Sequence, residues 1–191
     1  MPNRAPEKWG MLQVYTGNGK GKTTAALGTA LRAFAKGKRV AIVYFDKGGT
    51  HYSERGLLDW LKEQSFPGGG SFTYVATGLD RIDPESGRFR FGVTDEDRVE
   101  ADRGVAAAKA FLSDGYDVVV LDEFNTSLGL EMISEADGRA VIDTKPKNVE
   151  CICTGRTAPA WLIEKADLVT DMAIVKHYFY HGEAARDGLD Y

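Results

Sequence analysis

Between the apolar stretch Met11–Tyr15 and the Ala- and Leu-rich stretch Thr23–Lys36 lies a glycine-studded run, Thr16-Gly17-Asn18-Gly19-Lys20-Gly21-Lys22-Thr23-Thr24. A strand, then such a loop, then a helix is a narrow prescription. The glycines let backbone N–H groups turn inward, and the helix N-terminus adds partial positive charge where they converge. In a P-loop the lysine of Gly-Lys-Ser/Thr reaches the terminal phosphates, and the next hydroxyl serves Mg²⁺. Here those residues are Lys22 and Thr23. One position departs from G-x-x-x-x-G-K-[ST], because Thr16 stands in place of the first glycine. The competing reading is a purely structural or generic anion-binding turn, against which the strand-loop-helix context argues. The candidate phosphate-binding residues are therefore Gly17, Asn18, Gly19, Lys20, Gly21, Lys22, Thr23 and Thr24. The expected ligand is a nucleoside triphosphate, ATP with Mg²⁺ first among them.

The rest of the chain alternates strand and helix signals. Strands are expected at Met11–Tyr15, Arg39–Phe45, Phe72–Ala76, Asp117–Leu121, Val149–Cys153 and Leu168–Ile174. Helices are expected at Thr23–Lys36, stopped by Gly37, and at Ser53–Gln64, with Ser53 at its start and Leu57, Leu58 and Leu61 at helical spacing. Two more are Asp95–Asp114, with Val99, Val105, Ala108 and Leu112 near one face, and Pro159–Ala166. Leu128–Val141 reads as helical in part, Phe66–Ser71 as a loop, and Thr77–Thr94 as a long polar excursion. The apolar runs are near-continuous, as in strands buried on both faces. This predicts a single α/β domain over residues 11–191, preceded by an extension at 1–10. Its sheet is mostly parallel, with helices on both faces. In such sheets ligands sit beyond the carboxyl ends of the strands.

At one such end, Val118-Val119-Val120-Leu121 delivers Asp122 and Glu123, the position of a Walker-B acid. Alone the pair could be a helix cap with a solvated neighbour. Beside a P-loop, one of the two is expected to serve Mg²⁺, together with Thr23. Lys47, in Phe45-Asp46-Lys47-Gly48-Gly49, and Arg156, in Cys153-Thr154-Gly155-Arg156, are candidates for phosphate or nucleotide contacts or for structural ion pairs. Phe89 and Phe91 are apolar residues on the polar excursion, able to anchor it or to meet a large flat ligand. His177 and His181 have the spacing of helical metal ligands, but Tyr178-Phe179-Tyr180 and Gly182 do not read as helical, so packing or hydrogen bonding is expected. Cys151 and Cys153 alternate onto one face of a strand and read as buried hydrophobes.

The formal net charge of −4 disfavours a general nucleic-acid or anionic-membrane binder. No apolar run approaches the roughly 18 residues that span a bilayer. The N-terminal residues lack the apolar core of a signal peptide, so a cytoplasmic protein is expected. There is no Asn-Lys-x-Asp for guanine, no protein-kinase motif set and no Ser–His–Asp arrangement.

The P-loop variant through Ala25, the Leu121-Asp122-Glu123 strand end, Thr154-Gly155-Arg156, and the tail Val175-Lys176-His177…Gly182…Gly188-Leu189-Asp190-Tyr191 occur in that order. Together they resemble the ATP:corrinoid adenosyltransferases of the CobA/BtuR type, also called cob(I)yrinic acid a,c-diamide adenosyltransferases, from Met11 to Tyr191. The resemblance implies a RecA-like fold, a homodimer, ATP and a corrinoid as substrates, and an electron donor for cobalt. It implies a reaction in which Co(I) attacks the 5′ carbon of ATP and triphosphate leaves, so no side-chain nucleophile is required. Asn18, Lys20, Lys22 and Thr23 are its implied phosphate and metal residues. One departure stands out. Many members carry Ala-Thr-Gly-Phe-x-Trp, whose aromatics help remove the lower corrinoid ligand. Here the stretch is Ala76-Thr77-Gly78-Leu79-Asp80-Arg81, followed by an extended 82–93 segment in which Phe89 or Phe91 is the expected substitute. The alternatives left open are a P-loop ATPase or small-molecule kinase, and a nucleotide-binding module with little turnover.

Overall fold

Strands β1 (Leu12–Thr16), β2 (Arg39–Tyr44), β3 (Ser71–Ala76), β4 (Val118–Asp122), β5 (Glu150–Thr154) and β6 (Leu168–Asp171) pair in one parallel sheet, in the order β3-β2-β4-β5-β1-β6. The computed structural model describes residues 10–64, 68–82, 85 and 89–191. The N-terminal extension up to Trp9, the Phe66-Pro67 part of the expected loop, and Asp83, Pro84 and 86–88 of the excursion lie outside the described residues. The helices are α1 (Lys22–Phe34), α2 (Arg55–Lys62), α3 (Asp95–Ser113), α4 (Phe124–Gly129), α5 (Glu135–Asp143) and α6 (Ala160–Lys165). Among the described residues no helix is long and apolar enough to cross a membrane.

The two-residue period of the strands divides the core into two layers. Val119, Leu121, Cys151 and Cys153 face Ala101, Val105, Ala108 and Leu112 of α3, together with Phe124, Leu128 and Val141. Val118, Val120, Ile42, Tyr44 and Ile152 face Ala26, Ala30 and Phe34 of α1 and Leu58 and Leu61 of α2. Both thiols are fully buried on one face, as the alternation predicts.

Several local readings change. Val99 and Leu57 are exposed, because the buried stripes of α3 and α2 run through Ala101 and Leu58 instead. Ser53 does not cap α2, whose N-cap is Glu54 with no side-chain bond. Its hydroxyl lies 2.7 Å from both Asp187 Oδ1 and the Tyr191 carbonyl, and accepts from the Gly188 amide. α1 ends at Phe34, short of Lys36, and Gly37 follows with φ +79° and its N–H on the Phe34 carbonyl. The ambiguous 128–141 stretch is the end of α4, a turn, and α5, which Ser134 caps by accepting from the Asp137 amide. The last strand stops at Asp171, and all four of its residues are exposed at the sheet edge.

The polar excursion is held by charge. Thr94 and Asp97 form a reciprocal capping box at the start of α3. The fully buried Asp97 carboxylate also takes two bonds from Arg90 (2.9 and 3.1 Å) and lies 3.5 Å from Arg81. Arg81, itself buried, donates to Asp46 (2.8 Å) and to the Gly92 carbonyl. The Arg90 guanidinium and the Thr94 bonds hold the Asp97 carboxyl well below the usual carboxylate range despite its burial.

Asp97→Ala removes the carboxylate partner of the half-exposed Arg90 and the capping box of α3, while Arg81 keeps Asp46 and the Gly92 carbonyl, and is expected to cost about 1–3 kcal/mol in urea unfolding. Because the folded pKa of Asp97 is depressed, its contribution is complete above the ordinary aspartate value of about 3.9 and is lost as pH falls below it. The wild-type stability advantage over Asp97→Ala should therefore shrink in acid. Gly104 lies in α3, where an added Cβ would sit 2.5 Å from the buried Phe45 ring and 2.9 Å from Thr77 Oγ1. Gly104→Ala should destabilise by about 1–3 kcal/mol despite its better helix propensity, measured the same way.

Candidate active site

In the sheet order, β2, β4, β5 and β1 are consecutive neighbours, so their carboxyl ends form one continuous rim. Tyr44 pairs with Asp122, and Tyr15 with Thr154. The sequence candidates from four separate segments thereby meet. Their loops leave the strands through left-handed backbone: Asp46 at φ +52°, Glu123 at +59°, Gly155 at +132° and Gly17 at +93°. Such values are uncommon for Asp and Glu and mark positions fixed by their surroundings.

The P-loop closes around its own lysine. Lys22 is buried, and its ammonium donates to the carbonyls of Gly17 (2.8 Å) and Gly19 (2.7 Å). Burial lowers its pKa, with Arg156 and Lys47 adding to the effect and Glu123 and Asp122 opposing it. The loop glycines have a second role that the sequence did not disclose. A Cβ at Gly17 would lie 2.0 Å from Asp171 Oδ1, and one at Gly19 would lie 2.4 Å from the Met172 carbonyl. The chain after β6 packs directly on the loop, and the Gly19 amide donates to Met172 at 2.5 Å.

Asp122 is 1% exposed. Its Oδ1 accepts from the Thr154 hydroxyl at 2.6 Å and its Oδ2 from the Lys47 ammonium at 2.5 Å. The Thr154 oxygen in turn accepts from the Glu123 amide. Lys47 also donates to Thr23 Oγ1 (3.0 Å) and lies 3.9 Å from Glu123 Oε1. Burial pulls the Lys47 pKa down, but Asp122 and Glu123 more than reverse this and hold the ammonium above its ordinary range. A hydroxyl and two carboxylates around one cation make the oxygen set that hard divalent ions take. Among the described residues no group of three or more His, Cys, Asp or Glu side chains could hold a metal.

The tail returns to this rim. Asp190 pairs with Lys20 at 2.7 Å and receives bonds from Tyr178 and Arg186. His177 hydrogen-bonds the Phe179 amide at the start of a 3-10 turn, Tyr178–His181, in keeping with a hydrogen-bonding histidine. A cleft of about 380 Å³ runs between the P-loop and the tail. It is lined by Asn18 to Thr24, Lys47, Tyr52, Glu123 and Arg156 on one side, and by His177 to Phe179 and Gly188 to Tyr191 on the other. Arg156 is exposed, and its guanidinium makes no hydrogen bond or ion pair among the described residues. Tyr52, Thr154 and Asp190 were not singled out from the sequence. Thr154 and Asp190 do fall inside the quoted motifs, so a signal for them was present without a role attached.

Phe89 and Phe91 do not lie along this cleft. Their rings meet at a tilt of 58°, with centroids 4.9 Å apart, and are 52% and 84% exposed. Arg90, between them, is the residue clamped on Asp97. The pair is thus presented to solvent by a buried anchor rather than folded inward.

The family model for ATP:corrinoid adenosyltransferases (BtuR/CobO/CobP) matches residues 8–191. The corrinoid adenosyltransferase CobA of Salmonella typhimurium is 36% identical over 98% of this chain and 89% of its own length. A corrinoid adenosyltransferase of Escherichia coli is 34% identical over the same shares, and one of Pseudomonas aeruginosa 31% over 98% and 87%. P-loop, acidic strand end, rim arginine and returning tail all lie within the matched span, and the chain belongs to the ATP:corrinoid adenosyltransferase family.

Proposed function

We propose that this protein transfers the 5′-deoxyadenosyl group of ATP to the cobalt of a reduced corrinoid and releases triphosphate. The observation that carries the reading is the convergence of Lys20, Lys22, Lys47 and Arg156 on one cleft, in a chain whose net charge is −4. The same lining carries Glu54, Glu123, Glu183 and Asp190, so the cations are balanced in the free protein, and a polyphosphate can take over as their partner. The Co(I) lone pair forms the Co–C5′ bond as the C5′–O bond breaks, and the electron pair leaves with triphosphate. Catalysis then rests on orientation and on neutralising the leaving group. Gly17, Asn18, Gly19, Lys20, Gly21, Lys22, Thr23 and Thr24 are read as the phosphate cradle, and Arg156 as a further phosphate or nucleotide contact. Thr23, Asp122 and Glu123 would hold Mg²⁺, with Asp122 the nearer carboxylate to Thr23's bonding partner. Bound there, Mg²⁺ would neutralise triphosphate charge.

The corrinoid is read as docking on the excursion, with the tilted Phe89–Phe91 pair, held by Arg90 on Asp97, in the role of the missing aromatic pair. An electron donor for cobalt is read from the family likeness. A homodimer is likewise read from the family likeness.

Mixed anaerobically with Mg·ATP and chemically reduced cobalamin, the protein should give a light-sensitive alkyl-cobalt spectrum and one triphosphate per adenosyl group. Accumulation of ADP with no alkyl-cobalt product would replace this reading with phosphoryl transfer. Lys22→Ala should slow the reaction by about 10²–10³-fold, the usual cost of removing one charge-stabilising donor. The Phe89→Ala/Phe91→Ala double variant should lose about tenfold in kcat/KM for cobalamin with little change in KM for ATP, the scale of an aromatic contact. Unchanged corrinoid kinetics would remove the aromatic pair from the site.

A further inference from the structure

The side chain of Lys47 is 12% exposed, and the backbone that carries it is fixed from both sides. Its amide donates to the Thr77 carbonyl, and its carbonyl accepts from Arg55. The left-handed turn at Asp46, itself bonded to Arg81, sets the direction in which it leaves β2. The rings of Tyr44 and Tyr52 flank the ammonium at 5.7 and 5.6 Å. The ammonium therefore has a defined place, among Thr23 Oγ1, Asp122 Oδ2 and Glu123 Oε1. Those are the oxygens read above as the metal ligands. A divalent ion on these oxygens would lie at contact distance from the ammonium, where the two charges repel and shared occupancy is disfavoured.

We propose that Lys47 is a built-in counter-ion of the metal position, occupying it without nucleotide and yielding it to Mg²⁺ when Mg·ATP binds. The inference rests on the Mg·ATP reading of this site. In the resting protein the ammonium keeps the buried Asp122 paired and holds it and Thr23 in ligand geometry. Without it, Asp122 Oδ2 would lose its bonding partner in a desolvated position. On loading, the long flexible stem of lysine lets the charge move while its root stays fixed. The displaced ammonium is then free, inside the same cleft, to pair with the triphosphate. The metal position is thus closed to free Mg²⁺ and opens to Mg²⁺ that arrives with ATP. Lys47 is a positioning residue of the metal site, and its effect is read in metal binding rather than turnover.

The test is Mn²⁺ binding followed by electron paramagnetic resonance, with and without ATP, together with melting in EDTA and in Mg²⁺. Lys47→Met keeps the stem and removes the charge, and Lys47→Gln is the second variant should the first fail to fold. Wild type is expected to bind Mn²⁺ weakly without ATP and well with it. Removing the charge should tighten nucleotide-free Mn²⁺ binding at least tenfold. It should also lower the melting temperature in EDTA, with the loss recovered by Mg²⁺. Adding Asp122→Asn should abolish the gained binding. If the charge-removed variant binds free Mn²⁺ no better than wild type while both bind it with ATP, the counter-ion role is overturned and the Mg·ATP site stands. If neither binds Mn²⁺ even with ATP, the metal reading itself fails and the inference with it.

Discussion

Asp122 is an ionisable carboxylate with 1% exposure at the end of a strand in the middle of the sheet, and burial there is tolerable only if each oxygen has a partner. The partners come from the two neighbouring strands. Thr154 closes β5 and takes one oxygen, and Lys47, three residues past β2, takes the other. Lys47 reaches on to Thr23 in the first turn of α1. One buried charge thus ties together three adjacent strand ends and the P-loop helix. The left-handed residues Asp46 and Glu123 are the local backbone cost of aiming those groups at one point.

A common logic runs through the cleft. Lys47 is paired with Asp122, Lys20 with Asp190, and Lys22 with the carbonyls of its own loop. Three of the four cations facing the cleft already have internal anions or dipoles as partners. On the proposed reading, a polyphosphate exchanges with these partners rather than filling bare positive charge. Such exchange would favour a ligand that brings several charges at once, and under the proposed Mg·ATP reading the metal would be the replacement cation for Asp122. The tail through Tyr191 belongs to this arrangement, because Asp190 is placed by Tyr178 and Arg186 before it meets Lys20.

The parts legible in the sequence were those set by local pattern. The P-loop, the acidic strand end and the strand-helix alternation all depend on residues within about ten positions of one another. Strand pairing preserves the period-two layers, so the alternation alone puts Cys151 and Cys153 on one face. What the sequence hid was set across distance. Lys47 and Asp122 lie 75 residues apart, and nothing near either announces the other. Lys47 could therefore be left only as a phosphate contact or an ion pair, and the structure places it in an ion pair. Ser53 looked like a helix cap, but the tail claims its hydroxyl from 134 to 138 residues away. Val99 and Leu57 fitted their helical stripes by spacing and were turned outward by which face met the sheet. Gly17 and Gly19 suit phosphate approach by their place in the loop, while the close passage of Asp171 and Met172 gives them a packing reason as well.

A crystal structure of the protein with Mg²⁺ and ATP bears most directly on the claim that the site's charges are pre-paired and exchanged on loading. Expected is a metal ion between Thr23 and Asp122, the Lys47 ammonium moved from Asp122 to a phosphate oxygen, and Lys20 turned from Asp190 to the nucleotide. A nucleotide and metal bound with the Lys47–Asp122 and Lys20–Asp190 pairs intact would contradict it.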